Sequence, residues 1–374
     1  MTAPRIVYLV TEDWAFVRHR LPMARAAREA GFEVHVLTRL SAHKEAIERE
    51  GFHAHGLSWR RSSLSPFETL VSIHEVRRKI AEIAPRIVHN VAVKPALIGS
   101  MACLGFDVRV VNSIVGLGSV HLATSLRGRA LRALVGAFLR VLLNRRGTSA
   151  VVQNPDDRAV LEGLGVRPSQ IVLIPGSGVD TDDFQPTPEP AGLPVRAAYV
   201  GRMLEDKGLR TLVAAHRRLR QRGCELELLL AGEPDPENPT SISAAELESW
   251  GREPGITWLG HVEDIRGLWA GVHFAVLPSR REGFPKSLLE AAACGRPMVA
   301  SNVPGCREIA LDGETGLLAE VDDAESFADA MERMVTDGAA RRGMGGRARS
   351  VVEQHFSARI IGHQTAELYG RDQA

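Results

Sequence analysis

Strand-length apolar runs alternate with helix-length stretches from one end of this 374-residue chain to the other. That alternation builds parallel sheets, because a parallel strand pair needs a long crossover and the crossover is usually a helix. In the first half the runs fall near residues 5–10, 33–38, 87–91, 108–112, 149–153 and 171–174. In the second half they fall near 196–200, 225–230, 256–259, 273–278 and 297–301. A single hydrophobic core rarely grows past about 250–300 residues, so two domains are expected. Between the halves lies the one linker-like stretch, with Pro186, Pro188, Pro190 and Pro194, stiff enough to hold two domains at a set distance. The boundaries are 1–180, a linker at 181–194, 195–355, and a closing helical segment in 356–374. The expected architecture is α/β, two Rossmann-like domains whose parallel sheets face each other across a cleft.

Bulk properties remove several function classes. A formal net charge of +1 is too small for a polybasic nucleic-acid binder, so no nucleic-acid partner is expected. Cys103, Cys224, Cys294 and Cys306 show neither C-x-x-C nor zinc spacing, and read as free thiols in a reducing compartment. Met1–Val10 lacks the length and cleavage site of a signal peptide and reads as a first strand. No run reaches the ~18–20 apolar residues of a membrane-spanning helix. A cytoplasmic protein is expected.

The chemistry concentrates in two segments of the second half. Glu282 and Glu290 flank a helix start at Gly283-Phe284-Pro285-Lys286-Ser287, and Gly295 ends that helix. Proline suits a first helical turn, and the open amides of such a turn, at a strand end, form a ready phosphate site. Carboxylates on either side would accept hydrogen bonds from neutral hydroxyls, so the group suits a phosphate between two sugars. Arg202 and Lys207, between Gly201 and Gly208, bring two fixed positive charges to the end of the strand at 196–200. Arginine offers a planar fork to phosphate oxygens and lysine a point charge, together enough to neutralise a diphosphate. Their plainer reading is as ordinary surface charges, that of Glu282 a charge favouring the helix dipole, and that of Glu290 a solvated helix face. The alanines and leucines around Glu290 argue for burial.

These elements together resemble the family-4 retaining glycosyltransferases of the GT-B fold. The resemblance rests on Gly201-Arg202…Lys207-Gly208, Pro278-Ser279…Glu282-Gly283-Phe284-Pro285…Glu290-Ala291, and Cys294-Gly295-Arg296-Pro297. Glu308, Gly313 and Gly316-Leu317-Leu318 continue it. It implies a nucleotide-sugar domain in the second half and an acceptor domain in the first, with the closing helix crossing back to the latter. It further implies that Arg202, Lys207 and Glu282 act on the diphosphate and donor sugar. The position of Glu290 implies ribose binding, and Gly283, Phe284, Pro285 and Lys286 match the segment whose backbone amides hold sugar and phosphate, with Ser287 and Gly201 also on the donor side. Glu308 either orients a neighbour in the site or caps a helix. Asp180-Thr181-Asp182 is formally a metal–nucleotide D-x-D, but beside the proline-rich stretch it reads as turn chemistry. With basic groups on the diphosphate, no metal or cofactor is expected beyond the donor itself.

In the first half, the segment 11–22 reads as a loop carrying Glu12, Asp13, Trp14 and Phe16, then Arg18, His19 and Arg20, shaping an acceptor pocket or merely lying on the surface. His89, Lys94, Gly116 and Gly118 fall at strand ends on the acceptor side, although Val115 stands where relatives often carry a histidine. From Val108 to Pro155 there is no acidic residue, while seven arginines accompany an apolar row of Leu131, Leu134, Phe138 and Leu142. A basic amphipathic helix of this kind, around 126–146, suits an anionic membrane surface; the plainer reading is a core-facing stripe with solvated arginines. The expected activity is transfer of a sugar, with retention, from a UDP-sugar to a polyprenyl-diphosphate-linked saccharide at the inner face of the cell membrane. The alternatives are a nucleotide-sugar epimerase of the same fold, transfer to a soluble small acceptor, and a non-catalytic sugar-nucleotide sensor.

Overall fold

The computed structural model of the chain describes residues 3–59, 65–115, 126–192 and 194–370, with backbone alone at 66 and 126–132. The chain divides into two units, Met1–Ser177 with Ala358–Ala374, and Gly178–Ser357. The first unit holds a seven-stranded sheet ordered β3-β2-β1-β4-β5-β6-β7. Its strands are β1 (Arg5–Glu12), β2 (Glu33–Arg39), β3 (His53–Gly56), β4 (Ile87–Val91), β5 (Arg109–Ser113), β6 (Thr148–Val152) and β7 (Ile171–Leu173). The second holds a six-stranded sheet ordered β10-β9-β8-β11-β12-β13. Its strands are β8 (Val195–Val200), β9 (Leu226–Ala231), β10 (Ile256–Gly260), β11 (Phe274–Leu277), β12 (Met298–Ser301) and β13 (Gly316–Ala319). Every pairing is parallel.

Parallel sheets covered on both faces need strands that are apolar throughout, not alternating. Ile6, Val7, Tyr8 and Leu9 of β1 are fully buried, as are Ala197, Ala198 and Tyr199 of β8. Helices supply the cover through one stripe each: Leu209–Gln221 buries Leu212, Val213, Ala215, His216 and Leu219 and turns its arginines outward. At about 1.5–3 kcal/mol per buried large aliphatic side chain, such stripes dominate what holds each unit together. In both sheets the strand order reverses beside the first strand, between β1 and β4 and between β8 and β11. The loops leaving such a pair part to opposite sides and open a crevice at the carboxyl ends, where ligands of open α/β sheets bind.

Three departures from the sequence reading are instructive. Strands β3 and β13 lie outside the predicted set, and each is a sheet edge. The segment 11–22 is not a loop: β1 runs to Glu12, a short helix spans Asp13–His19, and a second spans Leu21–Glu29. The fully buried Asp13 carboxylate fixes it, accepting from the Ser41 amide at 2.5 Å, the Ser41 hydroxyl at 2.6 Å and the His43 amide at 3.1 Å. The proline-rich stretch is bound along the second unit. Buried Arg296 donates to the Thr187 carbonyl at 3.0 Å and hydroxyl at 2.6 Å, and Arg341 grips Glu189 at 2.7 and 3.0 Å. The closing helix Ala358–Gly370 belongs to the first unit, where the Tyr369 hydroxyl lies 2.7 Å from that of Tyr8.

Candidate functional site

The second unit gathers its polar groups where β8 and β11 diverge. Gly208 adopts a φ of +68°, and a Cβ there would stand 2.0 Å from the Pro278 carbonyl oxygen. Only glycine lets the loop after β8 lie this close to the end of β11. A backbone bond from the Arg280 amide to the Asp206 carbonyl, 2.9 Å, closes the two loops together. The result brings Lys207 Nζ to 2.7 Å from Glu282 Oε1, and the Ser279 hydroxyl donates to the same oxygen at 2.7 Å. A third loop supports this one from behind: a Cβ on Gly305 would meet the Gly283 carbonyl at 2.5 Å, and Glu308 accepts from the Gly305 amide at 2.5 Å. Glu308 therefore braces the loop that carries Gly283.

Immediately after Glu282 the helix Lys286–Ala293 begins, with Pro285 at its N-cap and no side chain capping it. The first amides of a helix have no intrahelical partners, and the helix dipole makes that end positive. Gly283, Phe284, Lys286 and Ser287 are half-buried around this tip, and the ring of Phe284 packs edge-on against Phe356. Glu290 is buried, as its neighbours imply, with Lys286 Nζ at 3.8 Å. Arg202 sits elsewhere: its guanidinium donates to Asp235 in the loop after β9 at 2.8 Å and is 44% exposed. An ion pair so exposed is worth about 0–1 kcal/mol, which does not commit the arginine. Of the two predicted cations, then, Lys207 stands beside Glu282 and the helix tip, while Arg202 is held on Asp235. Asp180 accepts from the amides of Asp182 and Asp183 at 3.0 and 3.1 Å, the turn chemistry expected of it.

In the first unit a small pocket, with room for about one water, is lined by Arg20, Met23, His89, Ser113, Gln153 and Thr365, among others. Arg20 is 5% exposed, its Nη1 lies 3.4 Å from Met23 Sδ, and among the described residues its Nε finds no partner. Burial lowers its pKa to about 10, so it remains a cation in the pocket wall. His89 lies 2.6 Å from the Tyr369 hydroxyl through Nδ1 and 2.7 Å from the Ser113 hydroxyl through Nε2. Burial, with the Arg20 charge adding to it, holds His89 at about 3, a neutral ring. Of the other predicted acceptor-side residues, Arg18 is exposed, His19 half-buried at a helix end, and Lys94 half-buried with burial lowering its pKa. None of the three lines the pocket. Gly116 and Gly118 lie outside the described residues. Asn90 and Asn112 are fully buried and join β4 to β5 through a 2.9 Å bond.

The sequence reading places Arg20 in a loop beside Arg18 and His19 without singling it out, yet its position carries a signal. It occupies the row Phe16, Arg20, Met23, Ala24, Ala27, whose other members are buried apolar residues. A lone arginine on a core-facing stripe needs a reason to be there.

The helix Leu126–Leu143 divides its apolar residues between two faces. Leu139, Leu142 and Leu143 are buried, whereas Leu134, Phe138 and Val141 are 56%, 44% and 65% exposed. Leu142 thus leaves the predicted row, and Val141 joins Leu134 and Phe138 on a solvent-facing one. Arg140, Arg145 and Arg146 are exposed beside it. The side chains of Arg127, Arg129, Leu131 and Arg132 lie outside the described residues. Among the described residues no helix is long and apolar enough to cross a membrane.

Comparison with known proteins assigns both units. Residues 194–337 match the family of glycosyl transferases group 1, and residues 5–150 match the glycosyl transferase 4-like family. A Campylobacter jejuni enzyme, N,N'-diacetylbacillosaminyl-diphospho-undecaprenol alpha-1,3-N-acetylgalactosaminyltransferase, is 23% identical over 98% of each chain. Curated relatives at 30–35% identity match over less than half of their own length. Among solved structures, sucrose-phosphate synthase from Thermosynechococcus elongatus superposes with a TM-score of 0.80 at 24% identity, over 98% of each chain. HepE of Anabaena, solved in complex with UDP-glucose, does so with a TM-score of 0.77 at 17% identity, over 98% of this chain and 99% of that one.

Proposed function

The chain belongs to the glycosyltransferases of the GT-B fold, and from that premise we propose that it moves a sugar, with retention of configuration, from a UDP-sugar to a hydroxyl of a polyprenyl-diphosphate-linked saccharide. The observation that carries the donor half is the contact of Lys207 and Ser279 with Glu282 beside the uncapped helix start. A diphosphate at that tip would meet the helix amides, the Lys207 ammonium and, once released from Asp235, the Arg202 guanidinium. Glu282 would turn to a sugar hydroxyl, and the buried Glu290 to the ribose. The choice of uridine leans on the UDP-glucose complex of HepE, a protein of the same fold.

In the step itself, the bond between the anomeric carbon and the phosphate oxygen breaks as the acceptor oxygen bonds to that carbon from the same face. The acceptor's proton passes to the departing phosphate oxygen. Lys207, Arg202 and the helix amides would take up the charge growing on the leaving diphosphate, where one preorganised donor is worth ~3 kcal/mol, roughly a hundredfold in rate. No metal is asked of this scheme.

The lipid-linked acceptor is supported by the Campylobacter relative and by two features of the first unit. Arg20, a buried cation in the wall of a small pocket, would meet an acceptor phosphate once that pocket widens. The exposed row Leu134, Phe138 and Val141, flanked by arginines, suits a peripheral site on an anionic membrane.

The test is acceptor-dependent release of UDP across a panel of nucleotide sugars, with the product anomer read by NMR. Lys207→Ala and Glu282→Gln should each lower kcat about a hundredfold while the thermal melt of the folded protein is kept. Binding of UDP without acceptor-dependent turnover would point to a sensor. Epimer formation from donor alone would point to an epimerase, and either result would end the reading.

A further inference from the structure

The most unusual cluster outside these sites lies at the opposite end of the first sheet. Glu33 and His35 on β2, and His53 and His55 on β3, are each two residues apart. The parallel register places His35 against His53. Side chains alternate along a strand, so all four stand on one face of the sheet. Glu33 Oε1 is 3.1 Å from His35 Nε2 and 3.3 Å from His53 Nε2. The three donor atoms all lie within 4.8 Å of one another.

We propose that Glu33, His35 and His53 form a binding site for a divalent transition metal, zinc by the chemistry of its ligands. Two imidazoles and a carboxylate are a zinc donor set, with metal–ligand distances near 2.0–2.2 Å. Donors arranged tetrahedrally at that radius stand roughly 3.3–3.5 Å apart, so little movement is needed to admit the ion. The outer groups are also in place. His35 Nδ1 lies 3.0 Å from His55 Nε2, leaving Nε2 to the metal, the arrangement that fixes the tautomer and ring plane of a ligating histidine. Arg5 Nε holds the other carboxylate oxygen of Glu33 at 3.3 Å, while Arg5 Nη1 is anchored on the Ile83 carbonyl at 2.8 Å. His35 is 7% exposed, but the His53 side chain is 55% exposed, so the ion has a path in and a water can complete its shell.

The site ties the edge strand β3 to β2 near the amino ends of both strands, whereas the Arg20 pocket lies by the carboxyl ends of β5 and β6. Its role is to clip an exposed sheet edge that is short and poor in apolar residues, and sugar transfer does not run through it. The experiment is titration of tag-free, full-length protein with zinc alone, by calorimetry and by the visible spectrum of the cobalt-substituted form. One ion per chain should bind, with an absorption band of tetrahedral cobalt. His53→Gln, an exposed position whose loss leaves the core intact, should weaken binding at least tenfold. His55→Gln should weaken it 10–100-fold through orientation of His35. Zinc at 100 times its Kd should raise the melting temperature of the wild type and not of His53→Gln. No saturable binding near one equivalent, or binding that His53→Gln leaves unchanged, so that the ion sits on others of the thirteen histidines, would overturn the proposal.

Discussion

A methyl group at Gly208 would press on the Pro278 carbonyl oxygen at 2.0 Å while the backbone holds a left-handed φ. The left-handed conformation alone costs an L-residue about 1–2 kcal/mol. Gly208→Ala should therefore lower the melting temperature and push Lys207 away from Glu282, reducing kcat at least tenfold. A variant of unchanged rate would show that the two loops need not meet for catalysis. In the first unit, Arg20→Gln keeps a polar side chain in the pocket but removes its charge. The expected outcome is a KM for a phosphate-bearing acceptor raised tenfold or more, with donor KM unchanged and Arg18→Gln without effect on either. His89 makes a prediction about pH. The groups facing it are Arg20, Tyr369, Tyr8 and Ser113, and its folded pKa of about 3 lies below the ordinary 6.5. A base so depressed binds its proton in the unfolded state first, so its contribution is intact above pH 6.5 and is lost as pH falls toward 3. Melting temperatures measured from pH 7 down to 4 should fall, and fall less steeply in His89→Gln.

Among the elements, the helix Leu126–Leu143 shows how far periodicity reaches. Spacing in the chain announces an amphipathic helix but cannot tell which of two neighbouring apolar rows meets the core. The structure buries Leu139, Leu142 and Leu143 and exposes Leu134, Phe138 and Val141. Changing these last three to serine should leave the fold and turnover on a soluble acceptor intact while abolishing co-sedimentation with anionic vesicles. Retained co-sedimentation would remove the membrane from the reading of this helix. Of the two strands missing from the sequence reading, β13 is apolar but only four residues long, Gly316–Ala319, whereas β3 fails for a related reason. An edge strand pairs on one side only and needs no continuous apolar run, and β3 is His53-Ala-His-Gly56. Polar residues that hide a strand from pattern reading are the same ones that make a metal site of it.

Across the whole molecule, the closing helix belongs to the first unit. It packs along Leu21–Glu29, and Tyr369 joins the buried hydroxyl chain of Tyr8 and His89. Deleting residues 358–374 should speed amide exchange in β1 and β4 while β8 and β11 stay protected. Uniform loss of protection would mean that the two units unfold as one. The chain by itself determined that two parallel sheets form, where their central strands run, and that a helix starts between Glu282 and Glu290. Those features are local: they follow from apolar runs, glycines and spacings a few residues long. Only tertiary structure decided that Lys207 reaches Glu282 while Arg202 turns to Asp235. It alone decided that Arg20, rather than Arg18 or His19, enters the pocket, and that four residues of β2 and β3 face one another. Each of these depends on which strands lie side by side and in what register, and that is set by burial summed over the whole sheet.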